Sequence, residues 1–321
     1  MAVPFKASIS QTATHILKSV LTPPLSYHLR TFWLFSYSDF KTIIIPSTIF
    51  GITNGLAASS YNLQPLIQLP TSLFILLRTP IVLFWVWLNY IAFAINNQSS
   101  DSSIAEDAVN KPWRPLPSKR LTQTAAKGLM WACYTLALLG SRFMLGGASQ
   151  ALGLVVLGAW YNNFDGANAD PLIRNLINAG GYVCFTSGAL EVAIGGARSA
   201  EGGAGCLGLW LMVVAGVIAT TIQTADMYDQ EGDALRGRKT MPLVVGDWYA
   251  RWTIAVPMGV WGFVCPMFWG VGWFGVCMSG SLAWSVALRT LLLRNVRDDK
   301  VTFLIWNVWM SVVFVLPLFA Y

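Results

Sequence analysis

The sequence predicts an all-α integral membrane protein with nine transmembrane helices, and three observations carry that prediction. Of the 321 residues, 55% are hydrophobic and only 11% charged, where a soluble domain carries about a quarter of its residues as charges. Apolar runs close to the ~20 residues needed to cross a bilayer recur along the chain. The cations are also segregated, because nine crossings put eighteen of the twenty-one Lys and Arg on one side, with only Arg78, Arg142 and Arg198 elsewhere. The positive-inside rule makes that side cytosolic. The net charge of +6 then has a topological cause and calls for no nucleic acid.

Residues 1–41 close on LRTFWLFSYSDFK, with Arg30, Asp39 and Lys41, and read as an N-terminal cytosolic or interfacial segment whose Trp33, Phe35 and Tyr37 anchor at the headgroups, with closure of part of a site's mouth as the lesser reading. MAVPFKASISQTATHILKS has no long apolar stretch before a small-residue cleavage site, so no removable leader is expected. A single transmembrane domain then fills 42–321. Its helices are expected at 42–60, 70–95, 124–142, 147–162, 176–195, 205–225, 250–268, 270–290 and 302–320. In the first, Pro46, Gly51 and Gly55 permit close packing or a kink. Arg78 lies inside the second run and either snorkels or pairs with a carboxylate such as Glu191. Glycines at 140, 146 and 147 separate the third helix from the fourth, which ends in GAWYNNFDGANAD, either a solvated cap or the completion of a cavity. Glu191 in the fifth is costly unless protonated, paired or facing water. The last three helices carry no strong polar signal, and their tryptophans either line an apolar tunnel or sit at helix interfaces and membrane boundaries. Five cysteines without CxxC spacing read as small buried hydrophobes.

Two polar islands interrupt this apolar order. NQSSDSSIAEDAVNKPWRPLPSKR runs from Asn97 to Arg120 and DMYDQEGDALRGRKT from Asp226 to Thr240, and together they hold seven of the fifteen acidic residues. Crowded carboxylates repel unless a cation sits between them, and their oxygens suit Mg²⁺. Lys111, Arg114, Lys119 and Arg120 follow the first acidic group, and Arg236, Arg238 and Lys239 follow the second. Such alternation is what a magnesium-bridged diphosphate requires: carboxylates hold the metal, metal and cations hold the phosphate oxygens, and the charge on departing pyrophosphate is neutralised. Asp226, Asp229 and Asp233, at i, i+3 and i+7, share one face of a helix, with Glu231 offset. In the first island Glu106 or Asp107 points with Asn110 if local helix persists, until Pro112, Pro115 and Pro117 stop it.

With these motifs the chain resembles the UbiA superfamily of intramembrane prenyltransferases, and within it the fungal branch that includes membrane-bound terpene cyclases. The resemblance rests on DxxDxEGDxxxGRKTxP at Asp226 to Pro242 and NKPWRPLPSKRLT at Asn110 to Thr122, and covers most of the chain. Tyr161, Asn162 and Asn163, followed by Arg174 and Asn175, also look like that branch. It implies nine helices around a central lipid-accessible cavity, with two acidic motifs at a cytosolic mouth binding Mg²⁺ and a prenyl diphosphate. Asp107, Asp226, Asp229 and Asp233 are implied as catalytic metal ligands, with Asn97, Asp101, Glu106 and Glu231 as further candidates. The first motif departs from the family's Asn followed by two Asp at intervals of four. Either Asn97 and Asp101 keep the first interval, or Ser99 and Ser103 stand in the earlier places and Asp107 is the last member. Asp107 keeps its spacing to NKPxRP both ways.

Substrate binding is implied for Asn97, Asn110, Lys111, Arg114, Lys119, Arg120, Tyr161, Asn162, Arg238 and Lys239. The implied reaction is ionisation of farnesyl diphosphate and cyclisation to a sesquiterpene with release of diphosphate. Its alternative is transfer of the prenyl group to an aromatic or polyketide acceptor. The partners implied are the prenyl diphosphate and membrane lipid, without an obligate protein partner, and a fungal member belongs in the endoplasmic reticulum membrane.

Overall fold

In the computed structural model, which describes residues 23–61, 63–65, 71–195, 197–199 and 204–320, helix α1 (Leu25–Ser36) precedes the membrane domain. The leader reading of the first residues lies outside these. Leu25, Leu29 and Trp33, four residues apart, turn outward from α1 as one exposed apolar stripe, the pattern of a helix lying in a membrane interface. A 3₁₀ turn (Tyr37–Asp39) and a π turn (Phe40–Ile44) lead into α2 (Ile45–Leu56), where Pro46 has no N–H to donate back into the π turn and the Thr42 carbonyl accepts the Tyr182 hydroxyl instead at 2.8 Å. The second apolar run divides at Arg78 into α3 (Thr71–Leu77) and α4 (Thr79–Gln98), because Pro80 cannot donate to the turn before it.

The first island folds as α5 (Asp101–Asn110), capped by the Ser100 hydroxyl, which accepts the Ser103 N–H at 3.1 Å. Then come α6 (Gln123–Gly140), α7 (Ala148–Asn163), the short α8 (Gly166–Ala169) and α9 (Pro171–Ile194). Helix α9 starts at Pro171 rather than 176, since the Asp170 carboxylate accepts from the N–H groups of Leu172 and Ile173. After α10 (Ala204–Thr221) the second island forms α11 (Gln230–Arg236), followed by α12 (Met241–Val245), α13 (Asp247–Phe268), α14 (Trp273–Leu292) and α15 (Val296–Val315). Helix α15 begins well before residue 302 because Asn295 caps it, accepting from the Asp298 N–H at 2.9 Å. An addition to the all-α expectation is a two-stranded antiparallel sheet, β1 (Leu63–Pro65) with β2 (Ala197–Ser199), which ties the α2–α3 connection to the α9–α10 connection.

Among the described residues five helical stretches are long and apolar enough to cross a membrane: Thr79–Gln98, Gln123–Leu145, Gly205–Ala225, Trp273–Leu292 and Val296–Phe319. The chain is an integral membrane protein. The other long helices are shorter or more polar than a simple span: α7 has 16 residues, and α9 and α13 carry charges in their turns. Neighbouring helices pack in the order α2, α4, α6, α7, α9, α10, α13, α14, α15 and back to α2, closing a ring, while α9 also packs against α2 and α4. Small residues permit these approaches. A Cβ at Gly51 would stand 2.8 Å from Ala189 of α9, and one at Gly188 would strike the buried Trp85 ring of α4.

Two polar residues find structural roles. Arg78 does not pair with Glu191. Its Nε donates to the Val192 carbonyl at 2.7 Å and its guanidinium lies over Phe74. Glu191 instead accepts the Gly147 N–H at 2.9 Å, fixing the start of α7 at a glycine with φ of +72°. Replacing Glu191 by Ala is expected to cost ~1–3 kcal/mol of stability by orphaning that N–H, read as a lower unfolding temperature, with substrate KM unchanged.

The last three helices are less bland than their sequence. Arg251 of α13, 1% exposed, grips both Asp299 oxygens of α15 at 2.9 and 2.8 Å and also donates to Asp247 and the Thr290 carbonyl. Their tryptophans fill helix interfaces or face outward rather than lining a tunnel. Trp306 donates to Thr221 at 3.0 Å and Trp309 to Ser279 at 3.1 Å, whereas Trp273 and Trp284 are exposed. All five cysteines are free thiols; Cys133 and Cys265 are buried, but Cys277 is exposed.

Candidate active site

The ring closure brings the two islands together, although more than a hundred residues separate them in the chain. Helix α5 packs on α11, and the contact is tight enough that a Cβ at Gly232 would overlap the Asn110 carboxamide. The glycine of EGD is therefore a packing requirement of the first island. Between the islands lies a cavity of about 150 Å³. Asp107 and Glu106 face it from α5, and Asp226, Asp229 and Asp233 from the second island.

The second island is not one continuous helix. Asp226 and Asp229 sit in successive turns, their N–H groups donating to Gln223 and Asp226 carbonyls at 2.9 and 3.3 Å, and only from Gln230 does α11 begin. These turns keep roughly helical spacing, which is why all three aspartates still reach the cavity while Glu231 is exposed.

Each carboxylate has a cationic partner. The Arg114 Nη1 donates to both oxygens of Asp107 at 2.8 and 3.0 Å. Arg174 pairs with Asp226, Arg238 with Asp233 at 3.1 Å, Arg236 with Glu106 at 3.0 Å, and Lys111 with Asp229 at 3.4 Å. Burial pushes the Asp107 carboxyl above its ordinary value against the pull of Arg114. Burial and the nearby Asp226 push Asp233 up to about 6, opposed by Arg238 and Arg174.

The donor set fits a hard divalent cation. Five aspartates, Asp39 among them, and a glutamate line one space, and the second oxygen of Asp233 is buried with no partner. Among the described residues, however, no three carboxylates stand together as a ready metal cage. In this arrangement arginines and a lysine pair with the carboxylates, and holding a metal would call for some of these pairs to exchange.

Several residues expected at the site line the cavity, namely Asn97, Lys111, Arg114, Tyr161 and Arg238. Others are elsewhere. Asp101, in the first turn of α5, is exposed and accepts from Gln123 at 3.0 Å. Arg120 turns toward α1, stacking over Tyr27 and donating to Thr31 at 2.8 Å and to the Tyr27 carbonyl. Lys119, at φ of 55° in the turn after Pro117, and the exposed Lys239 also lie outside the lining. Asn110 borders a neighbouring open hollow with Trp33, Tyr37, Trp113 and Phe303, and Asn162 borders a third pocket. Asp107→Ala is accordingly expected to lower turnover at least a hundredfold and Asp101→Ala less than about threefold, a ranking that steady-state rates of both variants check.

Sequence reasoning did not assign Tyr182 to the site, named Asp39 only within the N-terminal segment and Arg236 only among the cations of the second island, and gave Arg174 only a branch resemblance, yet all four line the cavity. Asp39 accepts from Tyr90 at 2.6 Å and lies 4.0 Å from Arg114. Tyr182 donates to the Thr42 carbonyl at 2.8 Å. Inward from the charged mouth, Phe93, Tyr161, Asn178 and Tyr182 are shared with a smaller apolar chamber closed by Leu154, Leu157 and Phe185. The site is thus polar and charged at one end, apolar and aromatic at the other.

Comparison with known proteins bears on the family and the fold. Residues 46–310 match the model of the UbiA prenyltransferase family. A fumagillin beta-trans-bergamotene synthase of Aspergillus fumigatus is 28% identical over 298 residues, 92% of this chain and 94% of that protein. A polyprenyl transferase of Hericium erinaceus is 25% identical, over 72% of this chain and 73% of its own. The solved structure of a UbiA homolog from Archaeoglobus fulgidus bound to GPP and Mg²⁺ has the same fold, with a TM-score of 0.57 at 14% identity over 89% of this chain and 99% of that one.

Proposed function

Because the chain belongs to the UbiA prenyltransferase family, we propose that its cavity ionises a prenyl diphosphate in a Mg²⁺-dependent reaction and passes the allylic cation to a carbon nucleophile. The observation that carries this reading is the meeting of two acidic islands and their cations around one cavity that continues into apolar walls. Asp107, Asp226, Asp229 and Asp233 would hold the metal. Bound Mg²⁺ supplies Lewis-acid polarisation of the diphosphate oxygens.

The chain's own groups do the rest. Lys111, Arg114, Arg236 and Arg238 face the same space and can shift from carboxylate to diphosphate oxygens, the guanidinium forks suiting bidentate contact. Tyr161 and Tyr182 at the junction, with Phe93 and Phe185 beyond, offer ring faces that stabilise a cation without capturing it. The leucines of the chamber keep out water that would quench it. The bias of Lys and Arg toward this end supports a cytosolic mouth.

Transfer of the prenyl group to an aromatic or polyketide acceptor is the reading the family match as a whole supports better. Cyclisation of farnesyl diphosphate to a sesquiterpene is the second reading, and similarity to the bergamotene synthase over nearly the full length favours it. Purified protein in nanodiscs, given Mg²⁺ and farnesyl diphosphate with and without aromatic acceptors, separates them by gas chromatography and mass spectrometry. A prenylated acceptor without cyclic product supports transfer, and a cyclic sesquiterpene formed without acceptor supports cyclisation. Neither product, with geranyl and geranylgeranyl donors also inert, contradicts the proposal.

A further inference from the structure

Beside the cavity, between the C-terminal ends of α4 and α7 and the first turns of α6, lies a separate pocket of about 270 Å³. Asn96, Asn97, Asn162, Asn163, Lys127 and Arg236 line it, with no Asp or Glu among the described lining residues. This is the reverse of the catalytic cavity, whose wall is rich in carboxylates. Asn97 and Arg236 belong to both walls, so the two spaces adjoin.

The polar groups of this pocket are under-used. Both amide atoms of Asn162 are buried without a partner, as are Oδ1 of Asn97 and Nε of Arg236. The Arg236 side chain is only 6% exposed, and its Nη1 is engaged with Glu106. A buried polar group left unmade costs ~1–3 kcal/mol, so several in one pocket point to a polar ligand rather than to idle space. The donors on offer are the Arg236 guanidinium N–H, the Lys127 ammonium and the Asn162 carboxamide NH₂, which suit an anion with several oxygens, while the Oδ1 atoms of Asn97 and Asn162 accept from a protonated oxygen or a water bound with it.

We propose that this pocket is an anion subsite for a phosphate-bearing group, and that diphosphate leaving the catalytic cavity passes into it across Arg236. The passage rests on the prenyl diphosphate reading above; the binding does not. A leaving group that stays beside the carbocation recombines with it, and a neighbouring site free of carboxylates gives it somewhere to go. Trp131, which borders the pocket and is 66% exposed, also puts it within reach of lipid. The phosphate of a lipid headgroup is therefore a second source of the same chemistry.

The test is binding of radiolabelled inorganic diphosphate to the full-length protein in nanodiscs with EDTA, so that metal-dependent binding in the catalytic cavity is silent. Lys127 is exposed on α6 and outside the catalytic cavity, so Lys127→Glu is expected to fold. It is expected to weaken diphosphate binding about tenfold, equivalent to ~1.4 kcal/mol, with Lys127→Gln intermediate and Asp229→Asn without effect. Native mass spectrometry of the same samples reads retained phospholipid. Loss of phospholipid rather than of diphosphate binding in Lys127→Glu assigns the subsite to a headgroup phosphate and overturns the passage. Unchanged diphosphate affinity and unchanged phospholipid in both variants overturns the subsite altogether. Diphosphate binding that depends on Lys127 in a protein inert toward every prenyl donor keeps the subsite and removes the reaction.

Discussion

Asp233→Asn is expected to lower turnover of the prenyl diphosphate by about a thousandfold while raising the thermal stability of the metal-free protein. Asp233 is 1% exposed, one of its oxygens has no partner, and Asp226 lies close enough to repel it. With its carboxyl pushed up to about 6, above the ~3.9 of an unfolded chain, the folded state holds the proton more tightly than the unfolded state does. The ionised carboxylate is then a liability: absent at low pH, it grows as pH rises through the interval between the two values and is complete above about 6. Asparagine keeps the shape without the charge. Near pH 7.5 and in EDTA the variant should gain on the order of 1 kcal/mol, with a ceiling of about 3 from the size of the shift and an offset from the weakened Arg238 pair. The gain should vanish below about pH 4. A thermal-shift series across pH checks it, and a lower unfolding temperature at pH 7.5 with normal turnover would reverse both halves. Metal binding must also displace the proton, so the Mg²⁺ needed for half-maximal wild-type activity should rise roughly tenfold from pH 7 to pH 5.

The second large effect is expected at Arg174. Its guanidinium, with a side chain 10% exposed, bridges Asp226 and the Tyr161 hydroxyl, joining α9 to the second island and α7. Arg174→Met removes the only cation paired with Asp226 among the described residues, leaving a buried carboxylate that costs ~3–5 kcal/mol. Turnover should fall at least a hundredfold. Added Mg²⁺ should recover more unfolding temperature in this variant than in wild type, because the metal supplies the missing positive charge. Equal Mg²⁺ responses in the two proteins would place Arg174 in a purely structural bridge.

Much of the fold is legible in the sequence because a bilayer imposes a coarse rule: apolar runs of fixed length and cations on one side. What escaped the reading was local capping. Asp170 and Asn295 start α9 and α15 early, and a side chain accepting its own helix's N–H groups leaves no trace in hydropathy. The four aspartates were legible because each island carries its acids at short spacing. Asp101 ranks below Asp107 because Asp107 keeps its spacing to NKPxRP under either alignment. In the α5 helix it lies about 240° round from Asp107, and only Asp107 faces Arg114. Arg120, implied to bind substrate, turns instead to α1, since a cation beside a phosphate motif can equally serve the contact it makes with Tyr27. Asp39, Arg174 and Tyr182 belong to three separate stretches that only ring closure brings to one cavity, and no spacing within the chain announces that.

The central claim is that the carboxylates of the two islands, through Mg²⁺, drive loss of diphosphate from a prenyl substrate. Release of inorganic diphosphate from farnesyl, geranyl and geranylgeranyl diphosphates, with Mg²⁺ or EDTA, for wild type and Asp229→Asn, tests it without knowledge of the organic product. Release that requires Mg²⁺ and falls at least a hundredfold in Asp229→Asn is the predicted result. Release that persists in EDTA, or that proceeds normally in Asp229→Asn, would contradict it.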